Sequence, residues 1–253
     1  MTGKSVVVMG WAAWRPGLFA KEDWKSFFAS GKIDPNRPDP EVPDIPPLLR
    51  RRMTRTSRMS AATAFACLKH TRTSAQEAPI VFSSRHGEMG ALVEILDALA
   101  RGEGVSPTAF SHSVHHTTAS AFSIATGNTR ELRSVAGCDG TFSYGFLDSL
   151  GLLNKKDNSR VLLLSSDDEV PEMFNQLMGS RGTPHAVALV LAREGERQGI
   201  PLRFHFQTDK FPATPRPDST IVTTDALDFV QWLESSSPSF TLSRGGIQWV
   251  WTR

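Results

Sequence analysis

Several stretches of this chain leave a strand almost no choice of environment. Val6 to Val8 in "SVVVMGWAAW", Ile80 to Phe82 in "APIVF" and the run "RVLLLSSDDE" are nearly all apolar, and "PHAVALVLARE" reads as a further strand beside the last of these. A strand with one wet face alternates, whereas one that is apolar at successive positions must be covered on both faces. Helix-length segments lie between them. The clearest is "APIVFSSRHGEMGALVEILDALARGEG", a strand, a small-residue loop and a helix with Leu92, Ile95, Leu96 and Leu99 at i, i+3, i+4 and i+7, closed by Gly102. The pattern predicts an α/β fold: a mixed central sheet with helices on both faces.

The remaining segments fit around that layer. "LLRRRMTRTSRMSAATAFACLKH" is helix-compatible, with Met59, Ala62, Ala66 and Leu68 available to pack. Helices are also expected around His116 to Ala125 and through Phe142 to Leu153, with a short strand Ser134 to Ala136 between them. Residues 31–47, "GKIDPNRPDPEVPDIPP", contain six prolines and no apolar period, so they should form an extended surface excursion. In the tail, "LRFHFQT" and "GGIQWVWTR" read as exposed or edge strands around one helix, "TDALDFVQWLESS", capped by Thr224 or Asp225. No period of 20 to 50 residues recurs, which excludes a repeat architecture.

With 253 residues, 40% hydrophobic and 21% charged, the chain suits a single domain spanning residues 1–253 with a sizeable core. Its 28 basic and 26 acidic residues leave a net charge of +2 without a long block of one sign, so there is no electrostatic case for nucleic acid. The only cysteines, Cys67 and Cys138, form no C-x-x-C pair or metal-finger spacing, which argues against a disulfide framework and for a reducing cytoplasm. The apolar run in "MTGKSVVVMGWAAWRPG" is too short for an export signal or a membrane span.

Five constellations are candidates for chemistry or binding. His112, His115 and His116 have metal-ligand spacing if they share a helix, but no carboxylate is interleaved, so no metal is expected. Ser83, Ser84, His86 and Ser113 could be assembled into a Ser-His-acid hydrolase, yet the chain lacks a G-x-S-x-G elbow. The glycines of "SSRHGEMG" fit neither G-x-G-x-x-G nor a P-loop. Arg50, Arg51, Arg52, Arg55 and Arg58 make a basic face, either a solvated helix surface or a docking patch for an acidic partner. The most pointed stretch is "SVAGCDGTFSYG", a strand breaking at glycine before a helix. There Cys138 is either a nucleophile or a small buried packing residue.

"SPTAFSHSVHHTTASAFSIATG" followed by "SVAGCDGTFSYGFLDSL", with the Arg-Arg-Met-x-[RK] match at Arg51 to Arg58 and the loop "SSRHGEMG", resembles the amino-terminal half of β-ketoacyl synthases over roughly residues 5–195. The resemblance implies a thiolase-like half fold with a divergent extension from about residue 196. It is strongest to the short chain length factors of aryl polyene gene clusters. Carried forward without gaps, the family pattern puts Asp139 on the nucleophile, whereas a one-residue gap in "NTRELR" puts Cys138 there; the two histidines of a ketosynthase's second half have no counterpart here.

The implied role is non-catalytic: a heterodimer with a full-length, active ketosynthase in a type II polyketide or fatty-acid-like system, with no cofactor of its own. His86, Thr108, Ala109, Phe110, His115 and His116 would line the acyl pocket and subunit interface, and Ser134, Val135 and Ala136 would extend the partner's sheet. Arg52, Arg55 and Arg58 would dock an acyl carrier protein bearing phosphopantetheine-linked acyl or malonyl groups. The rival expectations are a stand-alone acyltransferase or thioesterase using Cys138 activated by His86, His115 or His116, and a purely structural carrier-protein adaptor.

Overall fold

A computed structural model describes residues 3–174, 182–208, 211–214 and 224–253. Eight strands form one sheet: β1 (Lys4–Trp14), β2 (Ile80–Ser83), β3 (Leu132–Val135), β4 (Arg160–Asp167), β5 (His185–Ala192), β6 (Ile200–Thr208), β7 (Ser239–Arg244) and β8 (Ile247–Thr252). Their order across the sheet is β3-β2-β4-β5-β1-β6-β8-β7. β2 pairs in parallel with β3 and β4, and the other neighbours are antiparallel. The sheet is therefore mixed, as the sequence predicts.

The continuous apolar runs occupy its centre. In β4, Val161 and Leu163 join one core cluster while Leu162 and Leu164 join another on the opposite face. On the first face lie the helices α7 (Thr141–Leu153) and α8 (Asp225–Leu233). On the second lie α3 (Arg55–Thr71) and α6 (Thr117–Thr126). α7 approaches β2 so closely that a Cβ on Gly145 would stand 2.7 Å from the Ser83 Cβ, which demands glycine there.

The tail departs from the sequence expectation. β6 and β8 are interior strands, and β7 is the edge. Together with α8 they build an aromatic core against α7: Phe142 lies 5.2 Å from Phe229, Phe146 lies 5.2 Å from Phe204, and Phe229 lies 5.4 Å from Trp251. Aromatic pairs of this kind add roughly 0.5–1.5 kcal/mol each beyond the area they bury. Thr224, not Asp225, caps α8 by accepting from Leu227 N. Asp225 is buried and takes two hydrogen bonds from the Arg244 guanidinium, at 2.7 and 3.0 Å.

Two other segments differ from expectation. The proline-rich excursion has no regular element before α2 (Pro47–Arg50), but Val42 and Ile45 are buried in the α3 core and Arg37 pairs with Asp23 at 2.6 Å. The arginine segment is not one helix. It turns after Arg50, and Thr54 restarts it by accepting from Ser57 N. α4 (Met89–Ala100) and α5 (Pro107–Ser113) form a lobe in which α4 packs mainly on α5. Among the described residues, no helix is long and apolar enough to cross a membrane.

Removing one member of the buried Asp225–Arg244 pair strands the other charge. Arg244→Ala should therefore cost about 3–5 kcal/mol in urea denaturation. The buried His185 ring, opposite Asp167 across the β4–β5 ladder, has its pKa lowered by desolvation against the attraction of Asp167. An unfolded chain binds this proton near the usual 6.5 and the folded chain does not, so this contribution to stability is present at neutral pH and lost as pH falls below that value. The Tm should fall from pH 7 to pH 5, and His185→Gln should flatten part of that slope.

Candidate functional site at the head of helix α7

The elbow follows β3. Gly137 has no room for a side chain, since a Cβ would stand 2.3 Å from the Tyr144 ring, and its N–H donates to Thr141 Oγ1 at 2.9 Å. The Thr141 hydroxyl in turn donates to the Cys138 carbonyl at 2.7 Å. These bonds fix a short 3-10 turn, Cys138–Gly140, directly ahead of α7. Cys138 takes a left-handed φ of 50° and is exposed, so it is not a buried packing residue. Cys67 is the buried one, its thiol pushed up to about 12 by desolvation. Asp139 is exposed and ion-paired with Arg85 at 2.6 Å.

Arg85 belongs to the loop after β2, and that loop is organised by a carboxylate the sequence reading missed. Asp167, the last residue of β4, accepts from Ser84 Oγ at 2.7 Å, Arg85 N at 3.0 Å and His86 N at 2.8 Å. Gly87 N donates to Ser84 Oγ at 2.8 Å, and His115 Nε2 lies 2.9 Å from the Ser84 carbonyl. Gly87 adopts φ +59°, and a Cβ there would meet the His115 ring at 3.2 Å. His86 is half-buried, and desolvation lowers its pKa despite the nearby Asp167. Glu88, also missed, accepts from Thr54 Oγ1 at 2.7 Å and from Thr118 Oγ1 at 2.8 Å; burial raises its pKa against those two hydrogen bonds. The available signal was a pair of carboxylates ending an apolar strand in "SSDDE", and a glutamate opening a helix.

No hydrolase triad is assembled. Ser83 Oγ donates to the Leu164 carbonyl, Ser113 Oγ to the Phe110 carbonyl and Ser84 Oγ to Asp167. Nor does any hydrogen bond among the described residues join the Cys138 thiol to an imidazole. His112, His115 and His116 do not share a helix, because the chain leaves α5 at Val114 and re-enters α6 at Thr117. Among the described residues, no group of three or more His, Cys, Asp or Glu could hold a metal ion.

The pocket and interface candidates lie on the loop after β2, on α5 and its junction with α6, and on β3. Thr108, Ala109 and Phe110 are in α5 and not in a loop: Ser106 caps it, and Pro107 occupies its first position. Phe110 is 63% exposed. Leu92, Leu96 and Leu99 on α4 also face outward, and of that helical stripe only Ile95 is buried. Val114 and Ile124 add to the same lobe and the neighbouring α6. α6 packs beside β3, whose outer edge has no strand partner among the described residues and whose Ser134 is exposed, as is Ala136 just beyond it.

The arginines separate. Arg55 is held by Asp39 at 2.9 Å and Asp168 at 3.3 Å, and its guanidinium lies 5.0 Å from the Trp14 ring centre. Arg52 and Arg58 are exposed, and Arg50, Arg51 and Arg58 line a groove of about 430 Å³ with Asp39 and Glu41.

The chain is similar over its whole length to a chain of the complex of the ketosynthase ApeO with its chain length factor ApeC from Xenorhabdus doucetiae, with 27% identity, a TM-score of 0.79 and full coverage of both chains. A β-ketoacyl synthase from Burkholderia phymatum STM815 aligns with a TM-score of 0.66 and 13% identity, over 85% of this chain and 66% of that one. The ishigamide ketosynthase/chain length factor aligns with a TM-score of 0.64 and 13% identity, over 81% and 68%. At these identities the last two show the fold alone. No curated protein sequence matches. The family of β-ketoacyl synthase N-terminal domains matches residues 23–252, a range that takes in the tail strands β6 to β8 as well as the elbow, and the chain belongs to that family.

Proposed function

We propose that this chain is a ketosynthase-like chain length factor that pairs with an active β-ketoacyl-ACP synthase and shapes its acyl pocket during malonyl-dependent polyene or polyketide elongation. The observations that carry this reading are the exposed apolar side chains Leu92, Leu96, Leu99, Phe110 and Ile124 on α4, α5 and α6, and a β3 edge with no strand partner among the described residues. A second ketosynthase-type subunit would cover the face and continue the sheet through Ser134 and Val135. The likeness to the ApeO–ApeC complex supports the same assignment.

In this reading the chemistry is the partner's: acylation of its cysteine, decarboxylation of the malonyl group and Claisen condensation. This chain contributes walls. Phe110 stands out from α5 with its ring unpacked, so it can enter a partner's tunnel and stop the growing chain; His86, Thr108, Ala109, His115 and His116 back it. For the acyl carrier protein, the exposed Arg51, Arg52 and Arg58 offer the positive surface, beside an Arg50 that donates to the Val42 carbonyl. Arg55 is already engaged by Asp39 and Asp168 and drops out of that set.

A second reading, a Cys138-dependent acyltransferase or thioesterase, draws on the exposed thiol at the head of α7. Against it stand the Arg85–Asp139 ion pair beside the thiol and the lack of a histidine hydrogen-bonded to it among the described residues.

Co-expression with a full-length ketosynthase should yield a stoichiometric complex on size exclusion. Within it, Cys138→Ala should leave condensation rates unchanged while Phe110→Ala lengthens the product, read by mass spectrometry. Acylation and turnover of a thioester by the isolated chain would overturn the non-catalytic role. Leu96→Glu should weaken the complex by about 3 kcal/mol, roughly a hundredfold, with an unchanged Tm, because the side chain is exposed in the free chain and covered in the complex.

A further inference from the structure

The α4–α5 lobe has little holding it to the body through apolar burial. Ile95 is its one buried side chain on α4, and α5 has none. What fastens it is polar. The segment 84–88, which leads directly into α4, is tied at five points by Asp167 and Glu88: three donors of the loop on Asp167, and the α3 and α6 hydroxyls of Thr54 and Thr118 on Glu88. Ser57 Oγ lies 3.1 Å from Thr118 Oγ1, which couples those two helix starts to each other. The His115 ring, at the junction of α5 and α6, reaches the same loop through the Ser84 carbonyl. Arg85 carries the connection on to Asp139 at the elbow.

We propose that Asp167 and Glu88 are positioning residues that set the 84–88 loop, and through it the apolar face of the α4–α5 lobe, in the orientation a partner subunit recognises. This rests on the reading of that face as the docking surface. The physical ground is that a lobe with few buried apolar contacts opens locally at low free-energy cost, so its orientation is governed by whichever bonds span its base. The two carboxylates tie the loop to separate elements: Asp167 accepts the loop's donors from the end of β4, and Glu88 accepts from hydroxyls at the starts of α3 and α6. Asp167 also faces His185 across the ladder and lies near His86, so it does not sit alone in an apolar setting. Neither carboxylate touches the Cys138 thiol, so the role is one of geometry and not of chemistry at the elbow.

The test uses the full chain, free and with the co-expressed ketosynthase. Asp167→Ala and Glu88→Ala should each raise amide hydrogen exchange in residues 85–114 at least tenfold in the free chain, with α3, α7 and β5 unchanged, and should weaken the complex at least tenfold. Glu88→Gln keeps the oxygen that accepts from Thr54 and Thr118, and should keep wild-type exchange and affinity. If Asp167→Ala fails to fold, the Glu88→Ala and Glu88→Gln pair reads the same quantity. Unchanged exchange in Glu88→Ala overturns the tether itself. Raised exchange with unchanged affinity also overturns the proposal, and locates the failure in the docking role of the lobe.

Discussion

Burial of both faces of the β4 and β5 strands is the constraint on which the rest of the molecule depends. With Val161 and Leu163 facing one way and Leu162 and Leu164 the other, neither face tolerates water. One face is covered by α3 and α6, the other by α7 and α8. Covering the second face takes an unusual number of aromatic rings, contributed by α7, β6, α8 and β8. The tail is thus part of the core: without Phe204 and Trp251 on the sheet and Phe229 on α8, the rings of Phe142 and Phe146 on α7 would lose their partners.

That packing also places the elbow. α7 can lie on β2 because Gly145 leaves space for Ser83, and its head is held by the Gly137, Cys138 and Thr141 backbone and hydroxyl bonds. The exposed thiol therefore stands at a rigid strand-to-helix junction. Beside it stands the Arg85–Asp139 ion pair, and no imidazole among the described residues is hydrogen-bonded to the thiol. A cysteine nucleophile needs a base within reach.

The core was legible because its cause is local. Continuous apolar runs identified β1, β2, β4 and β5, and glycine and proline punctuation located most helix ends. The tail strands were misplaced because a short alternating segment has the same composition at an edge as in an interior; only its neighbours distinguish β6 and β8 from β7. The α4 stripe shows the same limit. Leu92, Leu96 and Leu99 have the spacing of a core-facing helix, but the period records that a face is apolar and says nothing of what covers it. At the site, Cys138, Asp139 and His86 were visible as residue types capable of chemistry. Asp167 and Glu88 were not, because a carboxylate on a strand end or helix start looks like solvated surface until the donors converging on it are known.

The sequence by itself determined the layered α/β class, the membership of the central strands and the kinship carried by the elbow and its preceding helices, since all three depend on residues close together along the chain. Tertiary structure alone decided which edge of the sheet stays open, that Arg55 is withdrawn from the basic surface by Asp39 and Asp168, and that two distant carboxylates converge on the 84–88 loop. The physical reason is distance along the chain: Asp167 and Ser84 are 83 residues apart, and a hydrogen bond across that separation exists only once the strands between them have paired.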